Sequence, residues 1–181
     1  MFNMRINKVV LVTGVSGAGK TSAMAVLEDM GYHCIDRFPA DLLPSLIKLV
    51  NDDQRAIVEN YAFSVSAQDF HEFRIAFENI ECDLTILHLD ATYESLLLRY
   101  KHNRRNHPLL VSKNANSLEE AIIMEIEGFD NVREQATIII DTSLLSVQDL
   151  SKRIQEVFSF TTKQSLTISI VSFGFSCAVF S

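Results

Sequence analysis

Val9-Val10-Leu11-Val12-Thr13-Gly14-Val15-Ser16-Gly17-Ala18-Gly19-Lys20-Thr21 is the stretch that decides the fold. Its first four residues form a continuous aliphatic run rich in β-branched side chains. That is the pattern of a parallel strand covered on both faces. Gly14 to Thr21 then reads G-x-x-x-x-G-K-T. Glycines let the backbone curl so that successive N–H groups face a phosphate, and the helix that follows adds its positive end. The spacing makes Gly14, Val15, Ser16, Gly17, Ala18, Gly19, Lys20 and Thr21 the expected phosphate-binding residues. Lys20 is expected to reach the β- and γ-phosphates and to serve catalysis, and the Thr21 hydroxyl is expected to hold Mg²⁺. An ordinary strand-to-helix turn is the competing reading, and the strand before and helix after the motif argue against it.

Outward from this core, the pattern alternates. Ser22 to Met30 reads as a helix with Ala23, Val26, Leu27 and Met30 inward, stopped at Gly31. Tyr32 to Ile35 reads as a strand ending at Asp36. Pro39 and Pro44 bracket the start of a helix through Leu49, and Ala56 to Val65 is a third strand. Phe70, Phe73 and Phe77 share one helical face, a stripe expected in the core. Leu84 to Leu89 is a fourth strand ending at Asp90, and Tyr93 to Tyr100 begins a helix. Lys101 to Asn116 is polar and basic and reads as a loop. Leu118 to Gln135 reads as one helix and Ile138 to Ile140 as a fifth strand. Ser146 to Phe158 is a closing helix with Val147, Leu150, Ile154 and Val157 inward. This order predicts an α/β protein of P-loop NTPase type, with a five-stranded, mainly parallel sheet and helices on both faces.

The 181 residues fit one domain with a short appendage. Residues 1–158 are expected to form the nucleotide-binding domain. Residues 159–181 are expected to be a linker, Ser159 to Ser165, and the truncated start of a second domain. Leu166 to Val171 there reads as an unpaired strand, expected to promote self-association. The net charge of −7 argues against indiscriminate nucleic-acid binding. Cys34, Cys82 and Cys177 lack zinc or disulfide spacing and read as idle thiols in a reducing cytosol. No signal peptide or membrane helix is evident, so a cytoplasmic protein is expected.

Two acids lie just past strand ends, where ligands sit in open α/β sheets: Asp36 and Asp90. Either could orient a nucleophile or face Mg²⁺ through water, or could simply cap the next turn. Asp36 is the better candidate for a catalytic role. Arg99, Lys101, His102, Arg104, Arg105 and His107 form the densest basic cluster. It could close over a nucleotide as a lid, end a solvated helix, or contact RNA.

The runs GVSGAGKT, LEDMGYHCIDRFPADLLP, LHLDA, RRNHPL, SKN, SLEEAI and IIIDTS occur in an order that resembles the N-terminal domain of the RapZ (YvcJ) family. The resemblance covers about residues 8 to 175. It implies binding of ATP and GTP, with slow hydrolysis. For the whole protein it implies an adapter that binds a small regulatory RNA and presents it to an RNase, through a second domain that Ser172 to Phe175 would open. Carried over by position, the family's second nucleotide-binding stretch, Asp-Val-Arg-Asn/Ser, falls on Ser64-Val65-Ser66-Ala67. The acid and the arginine are both serine here, so GTP preference and hydrolysis are expected to be weak. The family's Asp-Asn-Leu-Pro becomes Asp36-Arg37-Phe38-Pro39, and a Glu-Arg pair becomes Glu125-Ile126. A small-molecule kinase of the same outline is the alternative, with Asp36 as its base.

Overall fold

A computed structural model of the chain describes residues 6–52, 59–103 and 106–161. Strands β1 (Ile6–Gly14), β2 (His33–Asp36), β3 (Glu59–Ser64), β4 (Asp83–Asp90) and β5 (Ile138–Asp141) form one sheet in the order β2-β3-β1-β4-β5. Every neighbouring pair is parallel. The central strand β1 is sealed: Val9, Val10, Leu11 and Val12 are at most 1% exposed. A run with no polar alternation survives only where both sheet faces are covered.

The helices are α1 (Lys20–Asp29), α2 (Leu43–Asp52), α3 (Phe70–Glu78), α4 (Tyr93–His102), α5 (Pro108–Val111), α6 (Leu118–Gly128), α7 (Asp130–Glu134) and α8 (Val147–Thr161). Phe70, Phe73 and Phe77 of α3 are buried as their spacing predicts. Phe73 and Phe77 pack their rings on Phe63 of β3, with centroids 5.4 and 5.3 Å away. Helices α1 and α8 lie together. Leu150, Ile154, Val157 and Phe158 are buried there, and Tyr32 meets Phe158 edge-on. No helix among the described residues is long and apolar enough to cross a membrane.

Several expectations change. Lys101 to Asn116 is not a bare loop: α4 continues to His102, and α5 follows a buried His107. Pro108 occupies the first turn of α5, where its missing N–H costs nothing. The helix expected from Leu118 to Gln135 breaks at Gly128 and Phe129. Glycine weakens a helix interior by about 1 kcal/mol, and the break lets the Phe129 ring bury against His88, 5.8 Å away. Val147 is 66% exposed rather than inward, because it opens α8 at the mouth of a cleft. Tyr32 precedes β2 instead of starting it, and α8 runs past Phe158 to Thr161. The start of the predicted third strand at Ala56, and the predicted strand Leu166 to Val171, lie outside the described residues.

Candidate functional site

The glycine loop leaves β1 at Gly14, whose φ is 135°. A Cβ there would lie 2.4 Å from the Leu89 carbonyl oxygen, so β4 approaches too closely for any side chain. Gly19, at φ 107°, precedes α1, and a Cβ there would meet Leu150 of α8 at 2.8 Å. Gly14 is therefore required by backbone crowding and left-handed conformation together, and Gly19 chiefly by its left-handed conformation. Val15 and Ala18 are buried beneath the loop, while Ser16 and Gly17 form its outer side.

Lys20 turns back over the loop. Its Nζ donates to the carbonyl oxygens of Gly14 at 2.5 Å and Val15 at 3.0 Å. Burial lowers its pKa, against the opposing fields of Glu125 and Asp36. Thr21 is exposed at the first turn of α1.

Ser16 to Ser22 line an open cleft of about 1570 Å³. Asp36 and Ser64 to Ala67 also line it, as their strand-end positions predict. β2 and β3 bring them together, with Asp36 paired to Ser64 in register. Asp36 stays exposed, with Arg37 Nε 3.8 Å from its carboxylate. Val65 is buried and donates its N–H to the Val12 carbonyl at 3.0 Å. Ser66 Oγ donates to Asp69 Oδ2 at 2.7 Å and accepts from the Asp69 N–H at 3.2 Å.

The basic cluster divides. Arg99 donates to the Gly17 carbonyl at 2.9 Å, to Thr142 Oγ1 at 3.2 Å and to the Thr142 carbonyl. Its guanidinium thus clamps the loop to the end of β5 rather than standing free for a phosphate. Thr142, fully enclosed, adds its own donation to the Ala18 carbonyl at 2.9 Å. Lys101 and His102 are exposed and do not line the cleft. Arg104 and Arg105 lie outside the described residues. Asp90 is engaged elsewhere: Arg133 Nε donates to it at 2.9 Å.

Four residues matter here that the sequence did not single out in these roles: Glu125, Asp69, Arg99 as a clamp and Thr142. Glu125 Oε1 accepts from Ser16 Oγ at 2.8 Å, and its Oε2 lies 2.8 Å from His107 Nε2 in an off-line contact. In the sequence it stood out only as the acid of the Glu125-Ile126 pair. Thr142 left a trace only in the run Asp141-Thr142-Ser143.

The pieces fit a phosphate-bearing ligand with a divalent cation. The loop is narrowed to glycine where a Cβ would collide, a lysine stands over it, and a hydroxyl and a carboxylate, Thr21 and Asp36, face the same cleft.

Comparison with known proteins agrees with this layout. Solved structures with the same fold include a gluconokinase from Sinorhizobium meliloti at 20% identity, with TM-score 0.50 over 88% of this chain and 99% of that one. A shikimate kinase from Bacteroides thetaiotaomicron matches at 14% identity, with TM-score 0.52 over 84% and 98%. Among curated relatives, proteins named nucleotide-binding protein are closer in sequence. That of Actinobacillus succinogenes is 36% identical over 93% of this chain, and that of Thermosipho africanus 35% identical over 94%. The chain spans 59% and 61% of those relatives' lengths. The model of the RapZ-like N-terminal domain matches residues 7–163, and the chain belongs to that family.

Proposed function

We propose that this chain is a nucleotide-binding regulatory domain that takes ATP or GTP with Mg²⁺ and hydrolyses it slowly or not at all. The observation that carries this is Lys20, held over the glycine loop by two of the loop's own carbonyls and facing the cleft. A bound triphosphate would give its ammonium charge-assisted partners in place of neutral ones. Thr21 would hold the Mg²⁺, which neutralises phosphate charge. Slow turnover follows from the two serines: Ser64 carries no charge for a cation, and Ser66 gives its proton to Asp69. In the full-length protein the domain would serve an RNase adapter whose RNA contact lies in a second domain, working in the cytoplasm. Support for that part is family membership together with the greater length of the relatives.

Titration calorimetry with ATP and GTP, each with Mg²⁺, tests the reading. Lys20→Ala should weaken binding about ten- to hundredfold, the worth of a charge-assisted hydrogen bond of about 1.5–3 kcal/mol. Unchanged affinity would overturn the assignment. Turnover should stay well below the roughly 1 per second of a kinase. Ser64→Asp with Ser66→Arg should raise GTP binding or hydrolysis.

One observation favours a second reading, a small-molecule kinase. The cleft extends past the loop to Phe38, Asp69 and Phe73, leaving room for an acceptor beside Asp36. ADP release stimulated by a small hydroxyl compound would support it.

A further inference from the structure

The phosphate end of the cleft holds a carboxylate that a phosphate site does not need. Glu125 accepts the Ser16 hydroxyl proton at 2.8 Å, on the outer side of the glycine loop. Its other oxygen lies against buried His107, close but out of line for a hydrogen bond. His107 Nδ1 accepts from the Leu109 N–H at 3.2 Å, which leaves the ring proton on Nε2, 2.8 Å from Glu125. His107 is itself buried and meets the Tyr100 ring at a tilt, with centroids 5.1 Å apart, so it walls off the side of Glu125 away from Ser16. The field of Glu125 reaches Lys20, where it is the stronger of two carboxylate fields. Across the described cleft wall, Lys20, Arg37 and Arg99 stand against Asp36, Asp69 and Glu125. Arg99 is committed to backbone carbonyls and the Arg37 side chain is 92% exposed. With those two set aside, Lys20 alone stands against three carboxylates, so the described wall left facing a phosphate chain is net negative.

This inference rests on the nucleotide reading and deepens it. We propose that Glu125 is a specificity-determining residue of the cleft: its carboxylate opposes the terminal phosphate of a free triphosphate, so that the site selects the metal-complexed form. Carboxylate and phosphate are both acceptors and can share no proton; they compete for the single Ser16 O–H. A divalent cation removes the conflict by screening the phosphate charge.

The test is calorimetry of ATP in EDTA and of ATP with Mg²⁺, on wild type, Glu125→Gln and Ser16→Ala, with melting curves for each. Wild type should bind the metal-free form far more weakly. Glu125→Gln should raise metal-free affinity on the order of tenfold, as expected for a like charge removed at short range. It should raise Mg²⁺-ATP affinity by a smaller factor, so the ratio between the two falls. Ser16→Ala removes a phosphate-facing hydroxyl and keeps the Glu125 charge, so both affinities should fall together and their ratio should stay near the wild-type value. An unchanged ratio in Glu125→Gln overturns the proposal while the nucleotide reading stands. The same fall in Ser16→Ala and in Glu125→Gln also overturns it, by showing the effect to be structural. If wild type binds neither form, the nucleotide reading itself fails and this inference with it.

Discussion

His88 lies in β4 beneath the small cavity at Arg133, and only 3% of it is exposed. Its Nδ1 is 3.0 Å from Thr13 Oγ1. Burial depresses its pKa to about 4 from 6.5, with Asp90 opposing and Arg133 assisting the shift. As pH falls, the unfolded chain therefore takes up this proton before the folded one does. Stability is full above about pH 6.5 and declines from there to about pH 4, by about 3 kcal/mol for a shift of this size. Denaturant unfolding of wild type and His88→Leu at pH 7 and pH 5 checks it. The variant should lose less stability between the two, and equal losses would exclude His88 as the source. Thr13 keeps its bond to the Leu87 carbonyl in that variant, so no buried hydroxyl is orphaned. Burial also raises Cys34 and Cys82 to about 11, so both stay protonated thiols at neutral pH.

Short α5 depends on one side chain. The His107 ring caps its first turn through the Leu109 N–H and touches Glu125 behind it. His107→Ala should speed amide exchange across residues 108–115 by roughly five- to tenfold, the worth of about 1 kcal/mol for a lost cap. Exchange unchanged from wild type would mean that Pro108 and the packing of Ala115 hold the segment alone. This element was the hardest to read in the sequence. A histidine beside two arginines looks solvated, and nothing local announces that α6 will cover it. The break between α6 and α7 was equally hidden, because Gly128 stands inside an unbroken helical pattern and the burial of Phe129 is a tertiary fact. By contrast, β1 and the glycine loop were legible residue by residue. An apolar run without alternation has one comfortable place, and the loop glycines answer a steric demand that recurs wherever a chain turns this sharply. The Phe70, Phe73 and Phe77 stripe was legible for the same reason, being a local period. The roles of Glu125, seen in the sequence only as half of a family pair, and of Arg99, seen only as one of a basic cluster, were not legible, because only the assembled sheet shows what they face.

At the scale of the molecule, α8 closes the structure over α1. Leu150, Ile154, Val157 and Phe158 are each at most 7% exposed, and each contributes about 1.5–3 kcal/mol of burial. Together they rival the whole stability of an ordinary domain, about 5–15 kcal/mol. A chain ended after Thr161 should keep its melting temperature and its nucleotide affinity, whereas one ended after Ser146 should not fold. Calorimetric melting of both decides; loss of folding in the longer one would place part of the core beyond Thr161. Arg99 joins the same assembly from the other side, with one guanidinium holding the Gly17 and Thr142 carbonyls. A mutation there would unseat the glycine loop and the end of β5 at once. Such a variant would be expected to hold its nucleotide when cool and to release it on warming, a heat-sensitive defect rather than the plain loss of a ligand contact.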